Sequence, residues 1–387
     1  MKLKLPIISS LAIAAFWLSG CSTDEGFDPT DAPATYITFA QPTVSFGGVE
    51  TQSRGALINT IEDLTEFSVY GFCVPQNISN INNLDYTQAS ASWESKSIYC
   101  KPNIFNGVKV EKDGVNWKYE APVKKWTDFF DVANQYRASS AKFTFIACAN
   151  GDFEMAEFSA VSAPELTFSM PFSGGTETNP IACDYNAVKD AMIADCYDHT
   201  SNLGKVTLTF QHILTGLRFR VANHSDEPLI IHSMTFKGQF FGKANFNFET
   251  EIVDQYVDRI NDLYWGEFTL VSGDLEVPKT TTAHIIGTSD TNTDGLTLLL
   301  LPDPDVDPTN PDDNRNALGY SKVMTIDYSI GTVRQTFEQP ISLSYIPEPG
   351  TRHTATLNFL GNNAFYLVMQ PDGDVWQNGS EDDIVIN

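Results

Sequence analysis

The run GKVTLTFQHILTGLRFRV, residues 204–221, decides the fold. Val206, Leu208 and Phe210 fall on one face of an extended chain. Leu217, Phe219 and Val221 do the same a few residues later, alternating with Arg218 and Arg220. Period-two alternation predicts half-buried β-strands, apolar side inward and polar side outward. His212, two residues after Phe210, shares that inward face and reads as a hydrogen-bonded core histidine rather than a ligand.

The pattern repeats along the chain. KFTFIACA (142–149) puts Phe143, Phe145 and Ala147 together, MTIDYSI (324–330) puts Met324, Ile326, Tyr328 and Ile330 together, and TATLNF (354–359) contributes Ala355, Leu357 and Phe359. Turn residues separate these runs: Asp113-Gly114, Ser173-Gly174-Gly175, Asp294-Gly295, Pro349-Gly350 and Asp372-Gly373. Strands so spaced predict an all-β protein of antiparallel sandwiches. Each fully buried Phe or Leu contributes roughly 1.5–3 kcal/mol, so face-to-face stacking of sheets supplies the stability. Helical signal is sparse. In DYNAVKDAMIADC, Asp184 could cap a short helix carrying Val188 and Met192, or Ala191–Ala194 could run as a strand; both readings stand.

The 387 residues, 42% hydrophobic and 19% charged, suit a packed globular chain, of about two domains at roughly 150 residues each. Twenty-six Phe and 14 Tyr favour sheets over helices. With 24 basic against 49 acidic residues the net charge is −25. Such a surface repels phosphate backbones, so nucleic acid is not an expected partner.

At the start, Lys2 and Lys4 precede an apolar run from Leu5 to Phe16, too short to span a bilayer and the right length for a secretory leader. LSGC (18–21) then reads as a lipobox, with a plain signal peptide cut elsewhere as the alternative. Lipidation of Cys21 would tie the mature chain to membrane lipid through more than one acyl chain. The expected organisation is a signal peptide over 1–20, a leader with the first strands over 21–54, one β-sandwich over 55–202 and a second over 203–387. Beyond Cys21 the cysteines are Cys73, Cys100, Cys148, Cys183 and Cys196. Their odd number leaves at least one unpaired within the chain. Cys73 and Cys148 lie in strand-like runs as buried thiols, and Cys183 and Cys196 could bridge.

Catalytic and metal signals are weak. LPDPDVDPTNPDDN (301–314) gathers Asp303, Asp305, Asp307, Asp312 and Asp313, oxygen ligands of the kind calcium takes. Pro304, Pro308 and Pro311 stiffen the loop and the EF-hand glycine is missing, which favours a solvated loop. The six histidines lack HExxH spacing, and no GxSxG, Walker A or GxGxxG motif occurs in a useful context. No cofactor is expected. A hydrolase with carboxylates that meet only in space is a third-ranked reading. Trp93, Trp117, Trp126, Trp265 and Trp376 could stack on sugars, though most are expected to plug the core.

Five blocks in order resemble the fimbrillin family of type V pili: NWKYEAPVKKW (116–126), FTFIACA (143–149), DAMIADC (190–196), residues 204–221, and PGTRHTATLNF (349–359) followed by Trp376 and DDIVIN. The W-x-Y-x(6)-W block and the F-x-H-x-L strand are the most specific. The resemblance implies two transthyretin-like β-sandwich domains and an outer-membrane lipoprotein precursor, with Asp24 and Glu25 favouring export to the outer surface. It also implies cleavage by an arginine-specific protease between leader and first mature strand. Arg54 before Gly55-Ala56 matches that place, although Ala or Thr is expected where Gly55 stands; the alternative is an uncut loop. TYITF (35–39) and TVSF (43–46) would be the strands lost. A strand from another pilus subunit would then fill the groove, and AFYLVM (364–369) with DIVIN (383–387) is the natural donor. The expected function is a structural or adhesive pilus subunit at the cell surface. Its partners would be sibling subunits, outer-membrane lipid through Cys21, and a host or bacterial surface ligand. The alternative is a surface lipoprotein that binds glycans and never polymerises.

Overall fold

The structure is a computed structural model. It describes residues 36–44, 63–75, 102, 104–120, 122–129, 141–155, 165–248, 262–279, 283–288, 295–302, 319–341, 349–361 and 365–371. The strands in chain order are β1 (Thr43–Val44), β2 (Glu66–Pro75), β3 (Phe105–Asp113), β4 (Asn116–Tyr119), β5 (Ala141–Ala149), β6 (Asp152–Met155), β7 (Glu165–Ser169), β8 (Ile181–Cys183), β9 (Met192–His199) and β10 (Thr209–His212). There follow β11 (Thr215–Asn223), β12 (Leu229–Phe241), β13 (Lys243–Asn247), β14 (Leu263–Val277), β15 (His284–Ile285), β16 (Thr297–Leu300), β17 (Gly319–Ile330), β18 (Val333–Ile341), β19 (Arg352–Phe359) and β20 (Phe365–Pro371). Among the described residues the only helical pieces are short 3₁₀ turns. The chain is all-β, as its alternation predicts.

Four sheets form. The first runs β1-β10-β9-β5-β2-β3-β4, the second β15-β11-β19-β20 with β16 also on β11, the third β18-β17-β12-β14-β8, and the fourth β13-β7-β6. The second and third face each other. Phe219 of β11 meets Phe236 of β12, ring centroids 5.6 Å apart. Tyr328 of β17 meets Phe359 and Phe365 at 5.5 and 5.3 Å. Leu217, Phe219, Val221, Met324, Ile326, Tyr328, Ala355, Leu357 and Phe359 are all buried here, as alternation requires. Ile330 is only partly buried, at the strand end beside the Gly331 turn.

Three expectations are corrected. The first concerns KFTFIACA. Phe143, Phe145 and Ala147 share one core with Val206, Leu208 and Phe210. The other face of β5 is not solvated: Thr144, Ile146 and Cys148 are buried as well, the last two packed in the larger core with Leu166 and Phe168 of β7. The first sheet is therefore covered on both sides, and its central strand reads as continuously apolar. Second, the sheets are mixed. β1 on β10, β11 on β19 and β8 on β14 are parallel pairs. Long connections permit this; four of the third sheet's five strands, β12, β14, β17 and β18, lie between β11 and β19 in the chain. Third, Cys183 and Cys196 do not bridge. Cys183 ends β8 in the third sheet, its Sγ 3.6 Å from the carbonyl of Ile181, while Cys196 sits on β9 in the first.

The Asp184 segment takes parts of both readings. Asp184 Oδ1 accepts from the Asn186 amide at 3.0 Å and caps a single 3₁₀ turn over Tyr185–Ala187. The chain then extends into β9. Cys148 is a buried thiol, as expected, and burial pushes it up to about 12. Cys73 lies in β2, and Cys100 is outside the described residues. Strand pairing also crosses position 202/203: β9 with β10, β7 with β13, and β8 with β14.

Candidate functional site

Residues 36–44, which end in β1, bond to the β10 side of the first sheet and also reach its β4 side. On one side the segment runs parallel to 206–210. The Val206 amide donates to the Thr38 carbonyl at 2.8 Å, the Ala40 amide to Val206 at 2.8 Å, and the Thr43 amide to Leu208 at 2.9 Å. Thr43 and Val44 then register with Thr209 and Phe210, with the Thr43 and Thr209 hydroxyls 3.0 Å apart. On the other side Phe39 bridges Trp117 of β4, and Tyr36 bridges Lys125. The Ile37 amide donates to the Lys124 carbonyl at 2.9 Å. Phe39 reaches both sides, bridging Trp117 and Val206 alike.

Tyr119 clasps this arrangement. Its hydroxyl donates to the Ile37 carbonyl at 2.9 Å and accepts from the Lys124 amide at 3.0 Å. Burial pushes the phenol up to about 12; the Lys124 amide works in the opposite direction. Side chains fill the space beneath. Ile37 and Phe39 are buried, and Phe39 packs against the rings of Phe67, Phe105, Phe145 and Tyr119 at 5.6, 6.0, 6.0 and 6.3 Å. Their burial contributes roughly 3–6 kcal/mol gross. Removing the segment would strip partners from the Val206 amide and carbonyl, the carbonyls of Leu208 and Lys124, and the Tyr119 hydroxyl. Orphaned polar groups of this kind cost about 1–3 kcal/mol each while they stay buried.

The W-x-Y-x(6)-W block supplies the far edge. Trp117 and Trp126 plug the core, as expected for most of the tryptophans. Trp126 meets Phe143 edge-on at 4.8 Å and stacks on His199 at 5.4 Å. Trp265 is partly buried, and Trp93 and Trp376 are outside the described residues. His212 is buried with Nδ1 2.9 Å from Asp190 Oδ1, the core histidine expected from its spacing.

Other candidates fare differently. Cys21, Arg54, Gly55, Asp303, Asp305 and Asp307 are outside the described residues, as are 372–387 with DIVIN. Among the described residues no group of three or more His, Cys, Asp and Glu could hold a metal ion. Of the expected donor, β20 is paired antiparallel with β19, with Phe365 and Leu367 buried.

One constellation was not anticipated. Ser329 Oγ lies 2.6 Å from His232 Nε2, and His232 Nδ1 lies 2.6 Å from Asp274 Oδ1. The order is that of an acyl-transfer triad, but its setting is the interior of a sheet ladder. Ser329 sits on β17 between β12 and β18, where the backbone amides serve the ladders instead of forming an oxyanion hole. His232 is the extra residue of a bulge against β17, and β14 carries its own extra residue opposite, at Gly273 with φ 95 and Asp274. The hydrogen-bond chain pins this double bulge.

No family model matches the chain, and no curated protein does. Solved structures do. A candidate cell adhesion protein of Parabacteroides distasonis is 8% identical, with 89% of this chain and 100% of that one covered and a TM-score of 0.42. The tip fimbrial protein Mfa3 of Porphyromonas gingivalis is 8% identical over 82% and 96%, with a TM-score of 0.31. The fimbrial anchor protein Mfa2 of the same organism is 11% identical over 88% and 98%, with a TM-score of 0.33.

Proposed function

We propose that this chain is a structural or adhesive subunit of a surface pilus of the fimbrillin type. It is exported as an outer-membrane lipoprotein on Cys21 and assembled after cleavage between Arg54 and Gly55. The observation that carries this is the seat of residues 36–44. They lie on the N-terminal side of Arg54, yet complete the core and reach both the β10 side and the β4 side of the first sheet.

While the chain is intact, the segment is tethered and its effective concentration is high. A cut after Arg54 makes it a separate ligand that a strand from another subunit can replace. Main-chain hydrogen bonds would give such a donor its affinity, and alternate apolar side chains its fit. Repeated head to tail, the contact does not close on itself and builds a fibre. β20 is engaged at home, so Ile384, Val385 and Ile386 are the remaining apolar stretch of the expected donor.

The test is treatment of the chain from residue 22 onward with an arginine-specific protease. Ladders on an unboiled gel, with Gly55 as the new N-terminus, are expected. A trimmed chain that stays monomeric and keeps its melting temperature without residues 36–44 would end this reading.

A further inference from the structure

The first sheet carries a second concavity on the face opposite the seat of residues 36–44. It is a cleft of about 550 Å³, within the range of small-molecule sites. Its floor is the outer side of β2 and β5, where Ser68, Tyr70 and Cys148 point away from the smaller core. Phe153 of β6 and Phe168 of β7 form one wall, and Ala187 to Lys189 form the other.

The aromatic wall is built by a corner. After β5 the chain leaves the first sheet at Asn150-Gly151 and enters the fourth. Asn150 has φ 57 and is the only non-glycine with positive φ among the described residues. A Cβ on Gly151 would lie 2.5 Å from Phe153 Cε2 and 2.9 Å from Phe168 Cε2. Glycine is therefore required for the two rings to fold over the corner. They lie 5.2 Å apart, tilted by 50°, and Phe153 is only partly buried and lines the cleft.

The remaining lining decides the ligand class. Lys109 reaches toward the cleft but is held by Glu66 and Glu111, both at 2.7 Å. Lys189 and Asp152 offset each other in sign. Ser68, Asn150 and Ser169 add neutral donors and acceptors. A site without net positive charge, on a chain of −25, disfavours an anion. An aromatic face ringed by neutral hydrogen-bonding groups suits a ligand with one C–H face and a hydroxyl rim.

We propose that this cleft binds one neutral pyranose unit of a glycan, stacked on Phe153 and hydrogen-bonded by Asn150, Ser68 and Ser169. The site lies across the sheet from the assembly seat, so it stays open whichever strand completes the core. A subunit in a fibre and a lone precursor would both present it.

The experiment is saturation-transfer NMR on the chain from residue 22, which contains every described residue, with methyl galactoside, methyl mannoside and methyl N-acetylglucosaminide as probes. Transfer to ring C–H protons of at least one glycoside is expected. Phe153→Ala removes the stacking face and Ala187→Trp, at an exposed position on the rim, blocks the mouth. Each should weaken binding by at least about tenfold, with thermal melting of Ala187→Trp unchanged. No transfer from any of the three glycosides would overturn the proposal. So would transfer that persists in Ala187→Trp, or binding of inorganic phosphate or tetramethylammonium at the cleft in place of sugar. The protease ladder reads a different face, so it succeeds or fails independently.

Discussion

Tyr119 shows how much one hydroxyl can do. It donates to the Ile37 carbonyl and accepts from the Lys124 amide, tying the inserted segment to the loop that follows β4. Tyr119→Phe keeps the ring against Phe105, at 5.0 Å, and deletes both bonds. A loss of about 1–3 kcal/mol is expected, read as a lower denaturant midpoint with unchanged slope. The pH response follows from the raised phenol. The folded state holds its proton up to about 12 against an ordinary value of 10. The native state therefore binds more protons between those limits, and stability that is full below pH 10 falls as pH rises toward 12. Tyr119→Phe should make that alkaline decline shallower by one group. Phe39→Ala should cost more, about 3–5 kcal/mol, since it empties the centre of an aromatic cluster. Of these residues, sequence alone marked Trp117, Tyr119 and Trp126 as a block without saying what it holds. Ile37 and Tyr119 are 82 positions apart, and no local pattern links them.

At the scale of elements, alternation was legible wherever one face of a strand is wet. MTIDYSI shows it, and β17 follows it; LRFRV alternates as well, yet on β11 the expected outward Arg218 is buried and Arg220 is half-buried, so that strand has no wet face. It misled at β5, because a strand covered on both faces has no polar side to announce its orientation. The parallel pairs were equally hidden, since register and direction depend on which strands meet after long connections. Residues 36–44 bond both to 206–210 and to the segment around Trp117 and Lys125. Thr43→Pro removes the amide that bonds Leu208 at 2.9 Å and should weaken the seat without altering the strands it joins. The sensitive measurement is hydrogen exchange at the Val206 amide, which should speed up in the variant. A synthetic peptide spanning residues 35–46 should restore slow exchange when added to a chain that begins at Gly55. If the peptide leaves exchange at Val206 unchanged, the seat is not separable from its chain.

For the whole molecule, two cores matter more than cysteines. Cys148, Cys183 and Cys196 are thiols, and burial raises all three, to about 12, 12 and 11. They should all be alkylated after denaturation without reductant, as read by peptide mass, and native protein should protect Cys148. A disulfide recovered between Cys183 and Cys196 would contradict the placement of β8 and β9 in separate sheets. Sequence by itself determined that the chain is built of strands, that it turns at Asp113-Gly114 and Pro349-Gly350, which side chains of the wet-faced strands point inward, and that nucleic acid is not an expected partner of so acidic a chain. Those follow from side-chain period, turn chemistry and net charge, all local or summed properties. Tertiary structure alone decided that residues 36–44 close the first sheet, that its central strand is buried twice, and that a cleft opens at the Asn150-Gly151 corner. Each depends on surfaces brought together from distant parts of the chain, whose hydrogen bonds and buried area exist only once the sheets have met.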